Sequence, residues 1–258
     1  MNPIDQFNQE RQARVAAYAT DTEFKQLSNA WLEASMHRQY VYNFDWMGRP
    51  IIQYPQDMVA VQQLIWTARP DVVVETGIAH GGSLVLSASM LAMLDMCDAI
   101  EQGVSIDPRV SARKVVGIDI DIRAHNRDAI QAHPMASRIQ MVQGSSVSDT
   151  VVGQVRDLVG DAKRVMVFLD SMHTHDHVLA ELNAYAPMVT SGSYCVVFDT
   201  FVEDMPPHFF ADRPWDRGNN PKTAVHAWLP AHPEFRIDAT MENTLMVSVA
   251  PEGFLLRV

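Results

Sequence analysis

The sequence has few cysteines and few basic residues, and both shortages narrow the functions open to it. Cys97 and Cys195 are the two cysteines among 258 residues, and they lack a CxxC or zinc-like spacing, which favours free buried thiols over redox chemistry. Lys and Arg number 20 against 31 Asp and Glu, a formal net charge of -11. Because nonspecific nucleic-acid binding rests on clustered basic residues, we expect a small-molecule or glycan partner and no nucleic acid.

Long apolar runs are also missing from the sequence. No uninterrupted run reaches the roughly 18 residues that cross a bilayer, and the opening MNPIDQFNQERQAR is too polar for a signal peptide. We therefore expect a cytoplasmic protein without a membrane span. With 47% hydrophobic residues the chain can bury a substantial core. Its length suits one domain over residues 46–258 with a helical extension over residues 1–45.

The pattern of apolar residues changes along the chain. Helical spacing over the first forty residues predicts two or three helices, and a turn-rich stretch then precedes a helix that Asp57 could cap and that runs to about Ala68. Short β-branched runs separated by helix-length segments follow, which is typical of a parallel sheet with crossover helices. The predicted strands are 72–75, 114–119, 139–143, 165–170 and 193–199, then 244–249 and 253–258.

The last two runs are joined by residues 250–253, a connection short enough to predict a terminal hairpin. A helix is expected near 222–230. Five parallel strands closed by an antiparallel hairpin indicate an α/β protein with a Rossmann-like seven-stranded sheet of the methyltransferase type and helices on both faces. Since many functions share such a fold, the chemistry has to be argued from the residues at the strand ends.

Small and acidic residues follow the first three strands, where ligands of doubly wound sheets bind. The spacing E-x-G-x-x-x-G-G-S departs from the G-x-G-x-x-G fingerprint, and an acidic first position suits a cationic ligand better than a pyrophosphate. S-adenosylmethionine is therefore favoured over NAD. Asp119 is the first choice for the ribose hydroxyls and Asp121 the second. The residues assigned to the cofactor are Glu75, Thr76, Gly77, Gly81, Gly82, Ser83, Asp119, Asp121, Gly144, Ser145, Ser146 and Asp170.

Two further strand ends carry the residues expected to perform the chemistry. Asp170 and Asp199 end neighbouring strands and could share Mg²⁺, which prefers carboxylates and water and would lower the pKa of a substrate hydroxyl. His173 is the expected base or substrate ligand. His177 would share its face if the segment were helical, whereas His175 is expected to point elsewhere.

These motifs together resemble the family of cephalosporin hydroxylase-like proteins and rhamnosyl O-methyltransferases. The resemblance spans roughly residues 45–258. It is carried by the segments 75–83, 116–121, 169–173, 177–178, 181–182, 185–187 and 192–194, and further by 46–57, 218–221, 224–225 and 253–257. It implies methylation that depends on S-adenosylmethionine, often of sugar hydroxyls in glycolipids, polysaccharides or natural products, and commonly Mg²⁺ and a homo-oligomer.

The chain departs from this family pattern at two positions. The pattern has Glu-Asp at the end of the fifth strand, where this chain has Phe198-Asp199, so one implied metal carboxylate is missing. Glu203, Asp204 or the histidines could complete the metal shell instead. Ser145 stands where the family often has an acidic residue.

We therefore hypothesise an S-adenosylmethionine-dependent O-methyltransferase for a sugar or similar polyhydroxylated small molecule. The N-terminal helices and residues 201–221 would shape the acceptor pocket. One alternative is an iron-dependent hydroxylase with His173, His177 and Asp170 as a two-His, one-carboxylate triad. Another is a protein that binds S-adenosylmethionine without catalysis, as Phe198 would permit.

Overall fold

The computed structural model describes residues 2–258 and places α-helices and β-strands in alternation along most of the chain. The helices are α1 (Pro3–Tyr18), α2 (Thr22–His37), α3 (Pro55–Ala68), α4 (Gly82–Gln102), α5 (Ala124–Gln131), α6 (Asp149–Val159), α7 (His175–Tyr185), α8 (Pro221–Trp228) and α9 (Ala239–Leu245). The strands are β1 (Phe44–Trp46), β2 (Arg49–Ile51), β3 (Val72–Thr76), β4 (Lys114–Asp119), β5 (Ile139–Gln143), β6 (Val165–Leu169), β7 (Tyr194–Val197), β8 (Phe235–Ile237) and β9 (Phe254–Arg257).

Seven strands form one sheet in the order β5-β4-β3-β6-β7-β9-β8. Strands β3 to β7 are parallel, and β9 lies antiparallel between β7 and β8. Helices cover both faces, so the central strands are buried on both sides: Val73 packs into one core cluster, whereas Val72 and Val74 pack into the other. The predicted seven-stranded Rossmann-like α/β fold is confirmed.

The predicted terminal hairpin is wrong. Residues 239–245 form α9, which begins where the Asp238 carboxylate accepts a hydrogen bond from the Thr240 N–H, and residues 246–250 are irregular. Besides β7, the antiparallel partner of β9 is β8, which precedes α9 in the sequence. Alternating apolar residues at Leu245, Val247 and Val249 mimic a strand, although Leu245 ends α9 and all three pack against the core.

Asp57 does not cap α3 as predicted. The helix begins two residues earlier at Pro55, a residue type whose fixed φ suits a first helical position. The Asp57 side chain is fully buried and accepts hydrogen bonds from the Ser248 hydroxyl (2.6 Å) and the Val249 N–H (3.0 Å). It therefore joins α3 to the irregular segment before β9.

The N-terminal helices precede a small hairpin, β1-β2, which lies in the turn-rich stretch before α3. The Trp46 indole donates to the Ser89 hydroxyl of α4 (3.0 Å), and Gly82 lies so close to the Pro50 carbonyl that an added Cβ would stand 2.3 Å from its oxygen. The hairpin thus packs against the start of α4. The division into residues 1–45 and 46–258 stays a prediction.

Helix α4 is long and apolar enough to span a membrane by length and composition, with a mean hydropathy of 1.6 over its most apolar window. Half of that window is buried within the fold, as in core helices of soluble proteins, which meet the same criteria. The absence of a membrane span stays a prediction.

Candidate active site

A cavity of about 740 Å³ lies beyond the carboxyl ends of the parallel strands. Its wall begins at the loops after β3, β4 and β5 on one side and continues over the loops after β6 and β7 on the other, following the strand order. Helix α2, residues 39–42 and 50–53, the segment from 201 to 215 and Val249 complete it. The cavity occupies the position where doubly wound sheets bind their ligands.

The loop after β3 is held in one conformation from several sides. Asp119 Oδ2 accepts hydrogen bonds from the N–H groups of Ile78 (2.9 Å) and Ala79 (3.3 Å). The Asn126 amide donates to the Ala79 carbonyl (2.9 Å), and Arg49 donates to the next carbonyl along the loop. Gly77 has φ +90°, and a Cβ there would lie 1.9 Å from the Asp170 carbonyl oxygen. The loop is therefore preformed and needs glycine at this point.

Most of the residues predicted to bind the cofactor line this cavity. They are Gly77, Gly81, Gly82, Ser83, Asp119, Ser145, Ser146 and Asp170. These residues therefore lie at the edge of the sheet where the sequence analysis predicted them. Their contacts with a cofactor remain predictions.

Four of the predicted cofactor residues lie outside the cavity wall. Glu75 is buried and accepts a hydrogen bond from the Ser83 hydroxyl, and burial raises its pKa to about 8. Thr76 is also buried, with its hydroxyl oxygen 3.3 Å from the Asp170 N–H. Asp121 is exposed beyond the end of β4, and Gly144 donates its N–H to the Asp119 carbonyl (2.9 Å). None of the four therefore lines the cavity, and Glu75, Thr76 and Gly144 contact residues of its wall instead.

Asp170, His173 and Asp199 meet at one point of the cavity. One potential metal-ligating atom from each lies within 4.8 Å of the others, and His173 Nε2 stands 2.9 Å from Asp199 Oδ2. Burial and the Asp199 carboxylate raise the pKa of Asp170 to about 7. Burial opposes a charged His173, but the Asp199 carboxylate outweighs it and holds the pKa of the imidazole above its ordinary value. Two carboxylates so close together in a partly buried site favour a cation between them.

The other groups proposed to complete a metal shell are engaged elsewhere. Phe198 is buried and packs edge-to-face on Phe168, with ring centroids 6.0 Å apart. The Glu203 carboxylate accepts from the Gly218 N–H (2.7 Å), and Asp204 pairs with Lys222 (2.6 Å). The suggestion that Glu203 or Asp204 replaces the missing carboxylate is therefore wrong, whereas the histidine alternative agrees with the position of His173.

The three clustered histidines face different partners. Helix α7 begins at His175, so His173 precedes it and the expected helical face shared with His177 does not exist. His177 Nε2 lies 3.1 Å from both the Ser146 and the Ser171 hydroxyls. His175 Nδ1 lies 2.8 Å from the Thr223 hydroxyl, away from the cavity as expected. The triad of two histidines and Asp170 expected for an iron hydroxylase is therefore not assembled.

Several residues of the cavity wall were missed by the sequence analysis because they belong to no motif. Trp215 stands edge-on to His173 with ring centroids 4.7 Å apart, and Phe209 packs against Phe210 and His37. Gln53 is 4% exposed, and its Oε1 has no hydrogen-bond partner within residues 2–258. The one sequence feature that could have indicated these wall residues is the presence of aromatic residues in a Pro-rich loop. The prediction that residues 201–221 shape the pocket agrees with the position of this loop in the wall.

Comparison with known proteins identifies the family to which this chain is similar. The family pattern described as rhamnosyl O-methyltransferase/CmcI matches residues 38–258. The rhamnosyl O-methyltransferase of Mycobacterium tuberculosis is 28% identical over 255 residues, which cover 94% of this chain and 91% of that protein. The protein of the same name from Mycobacterium leprae is 26% identical over 230 residues, covering 86% and 88%.

Solved structures show the same fold. A structure of CmcI with Mg and SAM has a TM-score of 0.56 at 19% identity, covering 84% of this chain and 77% of that one. The TDP-rhamnose 3'-O-methyltransferase of calicheamicin biosynthesis has a TM-score of 0.51 at 16% identity, covering 92% and 93%. The chain therefore belongs to the rhamnosyl O-methyltransferase/CmcI family and is an S-adenosylmethionine-dependent O-methyltransferase, as its strand-end motifs predicted.

Proposed function

We propose that this protein transfers the methyl group of S-adenosylmethionine to a hydroxyl of a sugar or similar polyhydroxylated small molecule. One observation carries the proposal: the Asp170, His173 and Asp199 cluster opens into the same cavity as the glycine loop and Asp119. A cofactor site and a site for activating a hydroxyl are thus contiguous. The names of the mycobacterial relatives, rhamnosyl O-methyltransferases, support a sugar as acceptor.

The loops after β3, β4 and β5 suit the cofactor. Gly77 and Gly81 bring the backbone close to a ligand without an intervening side chain. Asp119 is the carboxylate at the end of β4 that would accept the ribose hydroxyls, and Ser145 and Ser146 would contact the adenine. The wall carries the carboxylates Asp119, Asp170, Asp199 and Asp212, which suit a sulfonium ligand better than a pyrophosphate.

The Asp170 and Asp199 side chains fit a divalent cation. They are partly buried and converge on one point, and the unpartnered Gln53 oxygen lines the same cavity. Mg²⁺ is the ion expected from the sequence, and a bound cation would lower the pKa of an acceptor hydroxyl. The protein itself contributes orientation, because the fixed loop and the carboxylates set the hydroxyl against the methyl donor for in-line transfer.

The acceptor would lie against the wall formed by α2 and residues 201–215. Phe201, Phe209, Phe210 and Trp215 line it with apolar surface, and its polar groups are His37, Asp212 and Arg213. A mostly apolar wall with a few polar groups is typical of small-molecule sites, and the cavity volume lies within their range of about 300–1,000 Å³. The volume therefore suits the cofactor and a small acceptor together.

Methyl transfer from labelled S-adenosylmethionine to simple glycosides such as methyl rhamnoside tests the proposal. We expect Asp170→Asn to retain binding of S-adenosylhomocysteine but to lose turnover by about 100-fold or more, since the group that activates the hydroxyl is weakened. Asp176→Asn is the matched control, because Asp176 is exposed at the start of α7 and should leave turnover unchanged. Unchanged turnover in Asp170→Asn, or cofactor binding without transfer to any glycoside, would contradict the proposal.

We also propose that the protein self-associates through its N-terminal helices and acts in the cytoplasm. Ile4, Phe7, Leu27 and Trp31 are exposed on α1 and α2 at 66%, 57%, 63% and 41%. Exposed apolar side chains of this kind support an interface. Light scattering after gel filtration should show a mass above the 28.9 kDa of one chain, and Leu27→Glu should lower it.

A further inference from the structure

We infer that His173 is a third ligand of the cation held by Asp170 and Asp199, and that this donor set favours a divalent transition ion such as Mn²⁺ over Mg²⁺. The inference rests on the proposed cation site and specifies which ion it takes and through which atoms. It assigns His173 a place on the cation instead of the role of a free base.

The position of His173 is set by its surroundings. It belongs to the segment between β6 and α7, where Asp170 ends the strand, and its Nε2 lies 2.9 Å from Asp199 Oδ2. The Trp215 ring stands at 86° to the imidazole with centroids 4.7 Å apart. The aromatic contact and the carboxylate together direct Nε2 toward the point on which the two aspartates converge.

The site offers the cation two carboxylates and one imidazole. Asp170, His173 and Asp199 are the one group of potential ligands that meets metal-ligand spacing in the part of the chain that the structure describes. Phe198, the neighbour of Asp199, turns its ring into the core. Glu181 is fully buried, accepts from the Ser171 hydroxyl (2.7 Å) and does not belong to this group.

A second observation points to a ligand at this place. Gln53 is buried beside Asp170 and lines both the main cavity and a small void behind it. Its Oε1 accepts no hydrogen bond from any residue between 2 and 258. A buried acceptor without a donor is costly, and a water carried by a cation, or a substrate hydroxyl, would supply one.

The chemical types of the ligand atoms distinguish Mg²⁺ from Mn²⁺ at this site. Mg²⁺ demands oxygen ligands and keeps several waters, so an imidazole in its first coordination shell is unfavourable. Imidazole suits the transition ions, whereas carboxylate also suits Mn²⁺. A mixed set of one nitrogen and two carboxylates therefore fits a transition ion better than it fits Mg²⁺.

Calorimetric titration with Mn²⁺ and Mg²⁺, in the presence of S-adenosylhomocysteine, compares the wild type with His173→Gln and His175→Gln. We expect His173→Gln to weaken Mn²⁺ binding by at least about tenfold, since even indirect partners of metal ligands contribute that much. Mg²⁺ binding should change little. His175→Gln is the matched control, because this side chain contacts Thr223 outside the cavity and should leave both affinities unchanged.

Pulsed electron paramagnetic resonance of Mn²⁺ bound to the wild-type protein provides a readout that depends on neither turnover nor the folding of a variant, and the two variants then extend it. A ¹⁴N coupling from a directly bound imidazole is expected in the wild type and in His175→Gln, and its loss is expected in His173→Gln. Mn²⁺ bound without nitrogen coupling, while methyl transfer proceeds, would overturn this inference and leave the proposed function standing. Absence of both cation binding and methyl transfer would overturn the two together.

Discussion

Single side chains and glycines at the ends of β3, β4 and β6 set the shape of the cofactor side of the cavity. Asp119 receives two backbone N–H groups of the glycine loop, and the Asp170 carbonyl oxygen packs against Gly77. The first contact joins β3 to β4, and the second joins β3 to β6 across the switch in strand order. The geometry of the loop is therefore fixed before any ligand arrives, which lowers the cost of ordering it on binding.

Asp119 and the nearby Asp121 form a natural pair for mutagenesis. Asp119→Ala should abolish binding of S-adenosylmethionine, because it removes the proposed ribose acceptor and frees the N–H groups of Ile78 and Ala79. Asp121→Ala should leave binding unchanged, because that side chain is exposed and lies outside the cavity wall. Calorimetric titration measures both affinities, and equal affinities in the two variants would refute the assignment.

We expect alanine substitutions at Gly77 and Gly153 to change the free energy of unfolding in opposite directions. At Gly77, φ is +90° and the added Cβ would overlap the Asp170 carbonyl, so we expect a loss of about 3 kcal/mol or more in the free energy of unfolding. Gly153 lies inside α6 with open space around its Cα, so alanine should stabilise by about 0.5–1 kcal/mol. Urea denaturation measures both, and a harmless Gly77→Ala would show that the loop is not constrained.

The residues of the site were predictable from the sequence only where a strand end placed them. Asp119, Asp170 and Asp199 end or follow buried strands, so their common edge follows from parallel topology. The partner of His173 was not predictable, because helical spacing linked it to His177 whereas α7 begins after it. Gln53 and Trp215 come from loops, and no sequence periodicity indicates where a loop folds back.

At the scale of elements, the sequence pattern of the central strands predicted the sheet correctly, whereas the pattern of the segment before β9 was misleading. Runs of apolar residues mark β3, β4 and β6 because strands buried on both faces carry apolar residues on both sides. Residues 246–250 carry strand-like alternation, but the contacts of Ser248 and Val249 with Asp57 hold them in irregular structure. That distant carboxylate could not be inferred from local sequence.

The buried Asp57 predicts a pH dependence of stability. Burial raises its pKa from the ordinary value of 3.8 to about 7, so the folded protein retains the proton over this interval and the unfolded chain does not. The stabilising contribution is therefore full below about pH 4 and is lost as the pH rises through 7, by at most about 1.4 kcal/mol per pH unit. Asp57→Asn cannot titrate, so the difference in stability between wild type and variant should follow this trend.

Denaturation of both proteins between pH 4 and 8 measures that difference. Because Glu75 and Asp170 also have a raised pKa and are present in both proteins, their contributions cancel in the comparison. A difference that does not change with pH would mean that Asp57 is already ionised in the folded protein at low pH.

At the scale of the whole molecule, one edge of one sheet carries both the cofactor loops and the proposed cation site. The strand order β5-β4-β3-β6-β7 places the glycine loop at the centre, between the cofactor side and the chemical side. This arrangement was predictable from the alternation of strands and helices. The acceptor wall was not, because α2 and residues 201–215 reach the cavity through tertiary packing.

The central claim is that this cavity binds S-adenosylmethionine rather than a dinucleotide, and calorimetric titration of the wild-type protein with S-adenosylmethionine and with NAD⁺ tests it most directly. The glycine loop and the acidic wall predict binding of the sulfonium cofactor in the micromolar range and no detectable binding of NAD⁺. Binding of NAD⁺, or no binding of S-adenosylmethionine, would contradict the account.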